Sequence, residues 1–155
     1  MGWFIAIFVT LMIAGSVLWI KPSKRDLRLS ELRRRAMTSG IRVRLLDEKL
    51  RDNLFPWLED HRGYSLYENH QLGGREGRSM QAFEVHRKEP LHELDYLNLD
   101  VDAKNLQEFE AGLPDGVRAV VLYPDGVGLL WDERGEVEVV DRLIESMKVL
   151  SEAFS

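Results

Sequence analysis

A run of uncharged residues opens the chain, and basic residues follow it at once. None of the first twenty residues is Asp, Glu, Lys or Arg, whereas Lys21 begins a basic stretch. The nineteen uncharged residues after the initial methionine would rise roughly 28 Å as a helix, close to the ~30 Å hydrocarbon core of a bilayer. The pattern therefore predicts a transmembrane helix over residues 1–20, with Trp3 and Trp19 at its two interfaces.

The residues that flank this run predict whether it is cleaved and how it is oriented in the membrane. A secretory signal peptide is the alternative, but the apolar run continues beyond the weak cleavage candidate Ala14–Ser16, which favours an uncleaved anchor. Basic residues follow the run, so the positive-inside rule places the amino terminus outside and the rest of the chain in the cytoplasm. The predicted membrane-interface residues are Trp3, Trp19, Lys21, Lys24, Arg25 and Arg28.

Small residues recur every fourth position in the predicted span. Gly2, Ala6, Thr10 and Ala14 form a stripe of the kind that lets two helices approach closely. A homodimer through the span is one interpretation. Chance is the other, because small residues are common in membrane helices and the motif has low specificity.

Residues 21–40 form a basic juxtamembrane segment that we expect to be helical over 23–38. Ser23 is placed to cap this helix and Gly40 to end it. The pattern leaves open whether the helix lies on the membrane or on the domain that follows, which we assign to residues 41–155.

The rest of the chain alternates between strand and helix patterns. Strands are predicted at Ile41–Leu45, with one buried face, and at Gly63–Glu68, Met80–Arg87, Val117–Tyr123 and Val127–Trp131. Asp47 is expected to cap a short helix that carries Leu50 and Leu54 and ends near Pro56. Pro124 and Gly126 suit a tight turn. A last helix is indicated by Val140, Leu143, Ile144, Met147 and Leu150.

Two regions give weaker patterns. Residues 69–79 are polar and glycine-rich, which predicts a loop, and 90–101 mix helical and strand periods. Asp102 is an N-cap candidate for a further helix. Together these elements predict an α+β domain, a small and mostly antiparallel sheet with helices packed on it.

Composition and charge narrow the classes of function. The absence of cysteine excludes disulfides, Fe–S clusters and thiol catalysis. Residues 21–44 hold nine Lys/Arg against two Asp/Glu, whereas residues 45–155 hold twelve against twenty-four. The basic segment suits the anionic headgroups of the lipid bilayer, and the acidic domain should be repelled from nucleic acid. We therefore expect another membrane or cytoplasmic protein as the partner, and no nucleic acid.

Candidate chemistry is sparse. The four histidines, at positions 61, 70, 86 and 92, have neither helical metal-ligand spacing nor an HExxH motif. We expect no catalytic site, no metal and no cofactor, and hence no enzyme. Among the aromatic residues, Trp57 follows Pro56 in a predicted loop, and we single it out as a partner contact.

The layout resembles the uncharacterised single-span proteins of proteobacterial inner membranes. The resemblance depends on the start MGWFIAIFVTLMIAGSVLWI, the basic segment KPSKRDLRLSELRRRA and the closing pattern LPDGVRAVVLYPDGVGLLWDERG. In layout alone it is also similar to YajC, the accessory subunit of the preprotein translocase, and no functional residue carries over. The resemblance implies a bacterial inner-membrane location and no particular activity.

Two functional hypotheses follow from the sequence. The first is a single-pass inner-membrane accessory or scaffold protein whose cytoplasmic domain binds another protein. The alternative is a membrane-tethered enzyme or small-ligand sensor whose site assembles only in three dimensions.

Overall fold

A computed structural model describes residues 2–18, 22–60, 62–71, 80–85 and 111–154 of the 155-residue chain. The helices of this part are α1 (Gly2–Leu18), α2 (Lys24–Thr38), α3 (Glu48–Leu54) and α4 (Val137–Phe154). The strands are β1 (Arg42–Leu45), β2 (Ser65–Asn69), β3 (Gln81–Glu84), β4 (Val117–Tyr123) and β5 (Gly126–Trp131). The predicted α+β class is confirmed. The chain divides into two compact units between Ser30 and Glu31, inside α2.

In the first unit, α1 presents large apolar side chains to its surroundings. Trp3, Phe4, Phe8 and Met12 are each at least 66% exposed. Within the described ranges, no helix has both the length and the apolar character needed to cross a bilayer. The transmembrane helix over residues 1–20 therefore stays a prediction.

Helix α2 begins and ends with the signals expected from the sequence. The Ser23 hydroxyl accepts a hydrogen bond from the backbone N–H of Asp26 at 3.1 Å, and the Asp26 carboxylate accepts one from the Ser23 N–H at 3.2 Å. This reciprocal pair is a capping box with aspartate in place of glutamate. At the other end Gly40 has φ +80°, and the Ile41 N–H donates to the Ala36 carbonyl at 3.1 Å. The prediction for 23–38 is confirmed.

The second half of α2 belongs to the folded domain. Leu32 and Ala36 are fully buried, so this half of the helix contributes to the domain core. Arg35 also pairs with Asp141 of α4, with 2.9 Å between Nε and Oδ1. From Glu31 onward, α2 therefore lies on the domain, which the sequence alone left open.

The domain is built on one antiparallel sheet with strand order β1-β2-β5-β4-β3. The strands β4 and β5 form the predicted hairpin, with Tyr123 paired to Gly126 across the turn. Between β2 and β3 the chain crosses the sheet, because β2 pairs with β5 and not with its sequence neighbour β3. Among the described strands, β1 and β3 are the outer two.

Helices cover both faces of this sheet. Helix α3 starts at the predicted cap, where the Asp47 Oδ1 accepts the Leu50 N–H at 2.7 Å, and it ends before Phe55. One cluster on its face joins the buried residues Leu46, Leu50, Leu54, Phe55, Leu58, Leu66, Ala119, Val121 and Leu130. Side chains alternate along a strand, so Tyr67 and Leu129 point to the opposite face. Helix α4 packs against β5, and its predicted stripe is buried at Val140, Leu143, Met147 and Leu150, with Ile144 at the margin.

Several predictions for individual segments need correction. The strand Ile41–Leu45 was expected to bury one alternating face, but Leu45 is 63% exposed and the strand starts at Arg42. Strand β2 starts at Ser65 and includes Asn69, which was predicted to begin a loop. The shifted limits of β1 and β2 have one cause, because strand limits follow from pairing with a neighbour and not from the local pattern. The predictions for 72–79 and 90–110 lie outside the described residues.

Candidate functional site

Two buried glutamates organise the polar side chains of the domain. The first is Glu68 on β2, which is 2% exposed. Its Oε1 accepts a hydrogen bond from the Tyr123 hydroxyl at 2.6 Å and lies 3.6 Å from Nη1 of Arg44. We call this group, together with His70 and Asp125, the Glu68 cluster.

A histidine links the buried carboxylate to the surface. His70 Nδ1 lies 3.1 Å from Oδ1 of the exposed Asp125, and its Nε2 lies 3.9 Å from Oε2 of Glu68. That Oε2 is buried and has no hydrogen-bond partner among the described residues. The His70 and Tyr123 rings lie 4.9 Å apart. The cluster thus lines up carboxylate, imidazole and carboxylate from the interior to the surface.

A glycine in the middle strand allows Tyr123 to reach Glu68. The two residues lie on β4 and β2, which are separated by β5, and Gly128 of β5 pairs directly with Glu68. A Cβ atom on Gly128 would lie 3.2 Å from Cε2 of the Tyr123 ring. Without that atom, the ring passes over β5 and the hydroxyl meets the carboxylate.

The environment of the Glu68 cluster shifts the pKa of two of its side chains. Burial raises the pKa of the Tyr123 phenol far above its usual value, and the hydrogen bond to Glu68 raises this pKa further. The hydrogen bond from His70 lowers the pKa of Asp125. In the described part of the chain, no three histidine, aspartate or glutamate side chains are grouped so that they could hold a metal ion.

The second buried glutamate, Glu133, follows β5 and holds α2 on the domain. It is 4% exposed, and its two carboxylate oxygens accept from Nε and Nη2 of Arg33 at 2.7 and 2.6 Å. The Tyr67 hydroxyl also donates to Oε1 at 3.0 Å. This bidentate geometry is the strongest form of an arginine–carboxylate pair. We call these three residues the Glu133 clamp.

The clamp changes the acid–base behaviour of its members. The hydrogen bonds to Glu133 raise the pKa of Arg33, which therefore stays charged. Burial first, and then the Glu133 charge, raises the pKa of Tyr67 far above the usual value of a phenol. The phenol of Tyr67 thus stays neutral as long as the domain is folded.

The raised tyrosine pKa values predict how stability depends on alkaline pH. A phenol with a raised pKa contributes stability that is complete below its unfolded value of about 10 and is lost as pH rises toward the folded value. We therefore expect the free energy of unfolding to fall above about pH 10, by up to ~1.4 kcal/mol per pH unit for each such phenol. Two of the four tyrosines, Tyr67 and Tyr123, should form phenolate only on unfolding.

Ultraviolet absorbance of the phenolate, recorded with circular dichroism, measures this behaviour. The Tyr67→Phe and Tyr123→Phe variants serve as controls, since each should remove one late-titrating group. Titration of three or more phenols in protein that still has native circular dichroism would contradict the prediction.

The structure describes four of the six residues that are predicted to lie at a membrane interface. Trp3 is 72% exposed, Lys24 and Arg25 are exposed, and Arg28 is half-buried. Trp19 and Lys21 lie outside the described residues. Their role at a membrane stays a prediction.

The predicted helix-pairing stripe lies on α1. Gly2, Ala6 and Thr10 are exposed, and the Thr10 hydroxyl donates to the Ala6 carbonyl at 2.7 Å. Ala14 is part of the same helix. The pairing itself stays a prediction.

The candidate partner contact Trp57 lies on the surface of the domain. It is 39% exposed, and its ring meets Phe55 edge-on with 5.8 Å between centroids. Trp131 and Tyr67, by contrast, are fully buried in the core. Of the four histidines, His70 alone is described, and positions 61, 86 and 92 lie outside the described residues.

Sequence reasoning missed both buried glutamates. Glu68 had one signal, because it stands two residues after Leu66 in a strand and so shares a face with a core residue. No comparable signal exists for Glu133, whose partner Arg33 is one hundred residues away. Only the fold brings these two side chains together.

Comparisons of the chain with family models, curated proteins and solved structures found no match. The likeness to single-span inner-membrane proteins therefore stays a prediction from the sequence.

Proposed function

We propose that this protein is a single-pass accessory or scaffold protein of the bacterial inner membrane. The observation that carries the proposal is the surface of α1, where nine large apolar side chains between Trp3 and Ile13 are at least 42% exposed. A contiguous apolar surface of this kind is normally covered by lipid or by another protein. The uncharged run of the sequence, which ends at Ile20, favours lipid.

The basic residues after this run give the proposed direction. Lys24 and Arg25 are exposed on α2, where they are available to anionic headgroups. With the basic residues on the cytoplasmic side, the amino terminus is outside and the domain is in the cytoplasm.

A binding role for the domain is preferred over an enzyme or a sensor because of the Glu68 cluster. The oxygen of Glu68 that has no hydrogen-bond partner among the described residues, Oε2, is shielded from solvent, which counts against a role for this buried carboxylate in binding a substrate. The Glu133 clamp is likewise satisfied by Arg33 and Tyr67. Exposed Trp57 offers a contact for a partner instead.

Membrane insertion is tested by placing charge on α1. Replacing Phe8 and Met12 together by lysine should cost about 5–7 kcal/mol of insertion free energy, since each central lysine costs roughly 2.5–3.5 kcal/mol. We expect this variant to move from the membrane fraction to the soluble fraction. The matched control replaces the same two residues by leucine and should stay in the membrane.

The orientation of the protein in the membrane can be measured with single cysteine substitutions, because the chain has no cysteine of its own. A membrane-impermeant maleimide should label Gly2→Cys in intact spheroplasts and Lys148→Cys, whose side chain is 55% exposed, only after lysis. If both lysine replacements leave the protein in the membrane, or if Lys148→Cys is labelled in intact spheroplasts, the proposal is wrong.

A further inference from the structure

Strand β1 forms one edge of the sheet. Among the described helices and strands, only β2 lies extensively against it. An uncovered edge strand presents unpaired N–H and C=O groups, and these are a template for one more strand. The strand carries two arginines that alternate with apolar residues, in the sequence Arg42-Val43-Arg44-Leu45.

The side chains of β1 combine charge with exposed apolar surface. Arg42 is exposed, and the Arg44 side chain is 41% exposed although it lies near Glu68. Natural edges are often guarded by charged residues against unwanted pairing. Leu45 does not fit a purely guarding role, because this large apolar side chain is 63% exposed on the same strand.

A second copy of the chain is a poor occupant for this edge. If a two-fold axis perpendicular to the sheet related two copies, their β1 strands would pair antiparallel. The face of β1 that carries the arginines would then lie on the same side of the joined sheet in both copies. Arginine would then lie opposite arginine, and like charges directly opposite each other destabilise a strand pair. A strand with acidic residues on that face would instead give opposite-charge pairs across from Arg42 and Arg44.

We propose that the β1 edge binds an extended segment of another protein in which acidic and apolar residues alternate. The segment adds as one more strand beside β1, antiparallel or parallel to it, and main-chain hydrogen bonds supply the attachment. Its acidic residues face Arg42 and Arg44, and its apolar residues face Val43 and Leu45. This inference rests on the proposed binding role of the domain and adds the chemistry of the partner.

The test uses the full chain in mild detergent and a fluorescent eight-residue peptide of alternating glutamate and valine. Anisotropy should report saturable binding, and Arg42→Glu should weaken it roughly tenfold, because an attractive cross-strand pair becomes repulsive. Arg134→Glu is the matched control, since the Arg134 side chain is 87% exposed and lies outside β1, and it should leave binding unchanged.

Two further peptides separate the charge from the backbone contribution. Lysine in place of glutamate should abolish binding through repulsion, and proline in place of valine should abolish it by removing main-chain donors. Equal binding of the lysine peptide, or no effect of Arg42→Glu, would overturn the inference. So would a change in oligomeric state with Arg42→Glu, which would identify a second copy as the occupant.

Failure of this inference is distinguishable from failure of the proposed function. If Arg42→Glu leaves both peptide binding and membrane attachment intact, the edge is not the binding surface but the anchored protein remains. If the lysine replacements in α1 leave the protein in the membrane while the peptide still binds at β1, the anchor proposal fails and the edge assignment stands.

Discussion

Replacing Arg33 by methionine should lower the free energy of unfolding by about 3 kcal/mol, the lower end of what breaking a buried ion pair costs. Glu133 is 4% exposed and accepts both of its short hydrogen bonds from Arg33. Methionine keeps most of the aliphatic stem of arginine, so the packing of α2 changes little. The main loss is the guanidinium that compensates a buried carboxylate.

Urea unfolding followed by far-ultraviolet circular dichroism measures this loss. Arg34→Met is the matched control, because Arg34 is the next residue of the same helix and is exposed. We expect it to change stability by less than about 0.5 kcal/mol. Arg33→Lys should fall between the two, because lysine keeps the charge but not the bidentate fork.

A double-mutant cycle with Glu133→Gln isolates the pair. The coupling free energy between Arg33 and Glu133 should be about 1.5–3 kcal/mol if their hydrogen bonds carry the effect. Equal effects of Arg33→Met and Arg34→Met would mean that the Glu133 clamp does not hold α2 on the domain.

The parts of the fold that are local in sequence could be predicted. Ser23 caps α2 and Asp47 caps α3 through hydrogen bonds that span three residues. The turn between β4 and β5 also has a local signal, because the ring of Pro124 fixes its φ angle whatever surrounds it. Such signals act within one turn of chain, so the linear sequence contains them fully.

The parts that depend on long-range pairing could not be predicted. Leu45 was expected inside because it alternates with Val43, but β1 is an outer strand among those described, and Leu45 is 63% exposed. The strand order, in which β2 pairs with β5, is likewise invisible to a local pattern.

The buried charges form the largest gap between sequence and structure. A glutamate within or just after an apolar strand looks the same in the sequence whether its carboxylate is exposed to solvent or buried and paired with another side chain. Glu68 and Glu133 are buried only because Tyr123, Arg33 and Tyr67 arrive from distant segments. Charge counts correctly described the domain as acidic, but they could not tell which acidic residues lie inside.

Replacing Trp131 by alanine should destabilise the domain by about 3–5 kcal/mol, as expected for a large aromatic residue in a core. Trp131 is fully buried, packs edge-on against Tyr67 at 5.6 Å, and donates its indole N–H to the Asp115 carbonyl at 3.0 Å. Trp57→Ala removes a residue of the same type that is 39% exposed. Its loss should cost only about 1 kcal/mol, mainly from the contact with Phe55.

The two tryptophans therefore separate stability from binding. If Trp57 anchors a partner, Trp57→Ala should reduce recovery of that partner at least tenfold in affinity purification from mild detergent, at nearly unchanged stability. A moderately destabilised core variant, Trp131→Phe, serves as the control and should retain the partner as long as the domain is folded. Urea unfolding of both proteins verifies this condition. Full recovery with Trp57→Ala would exclude this tryptophan as the anchor. The β1 edge would then be the surface to test, because Trp57→Ala leaves the residues of β1 unchanged.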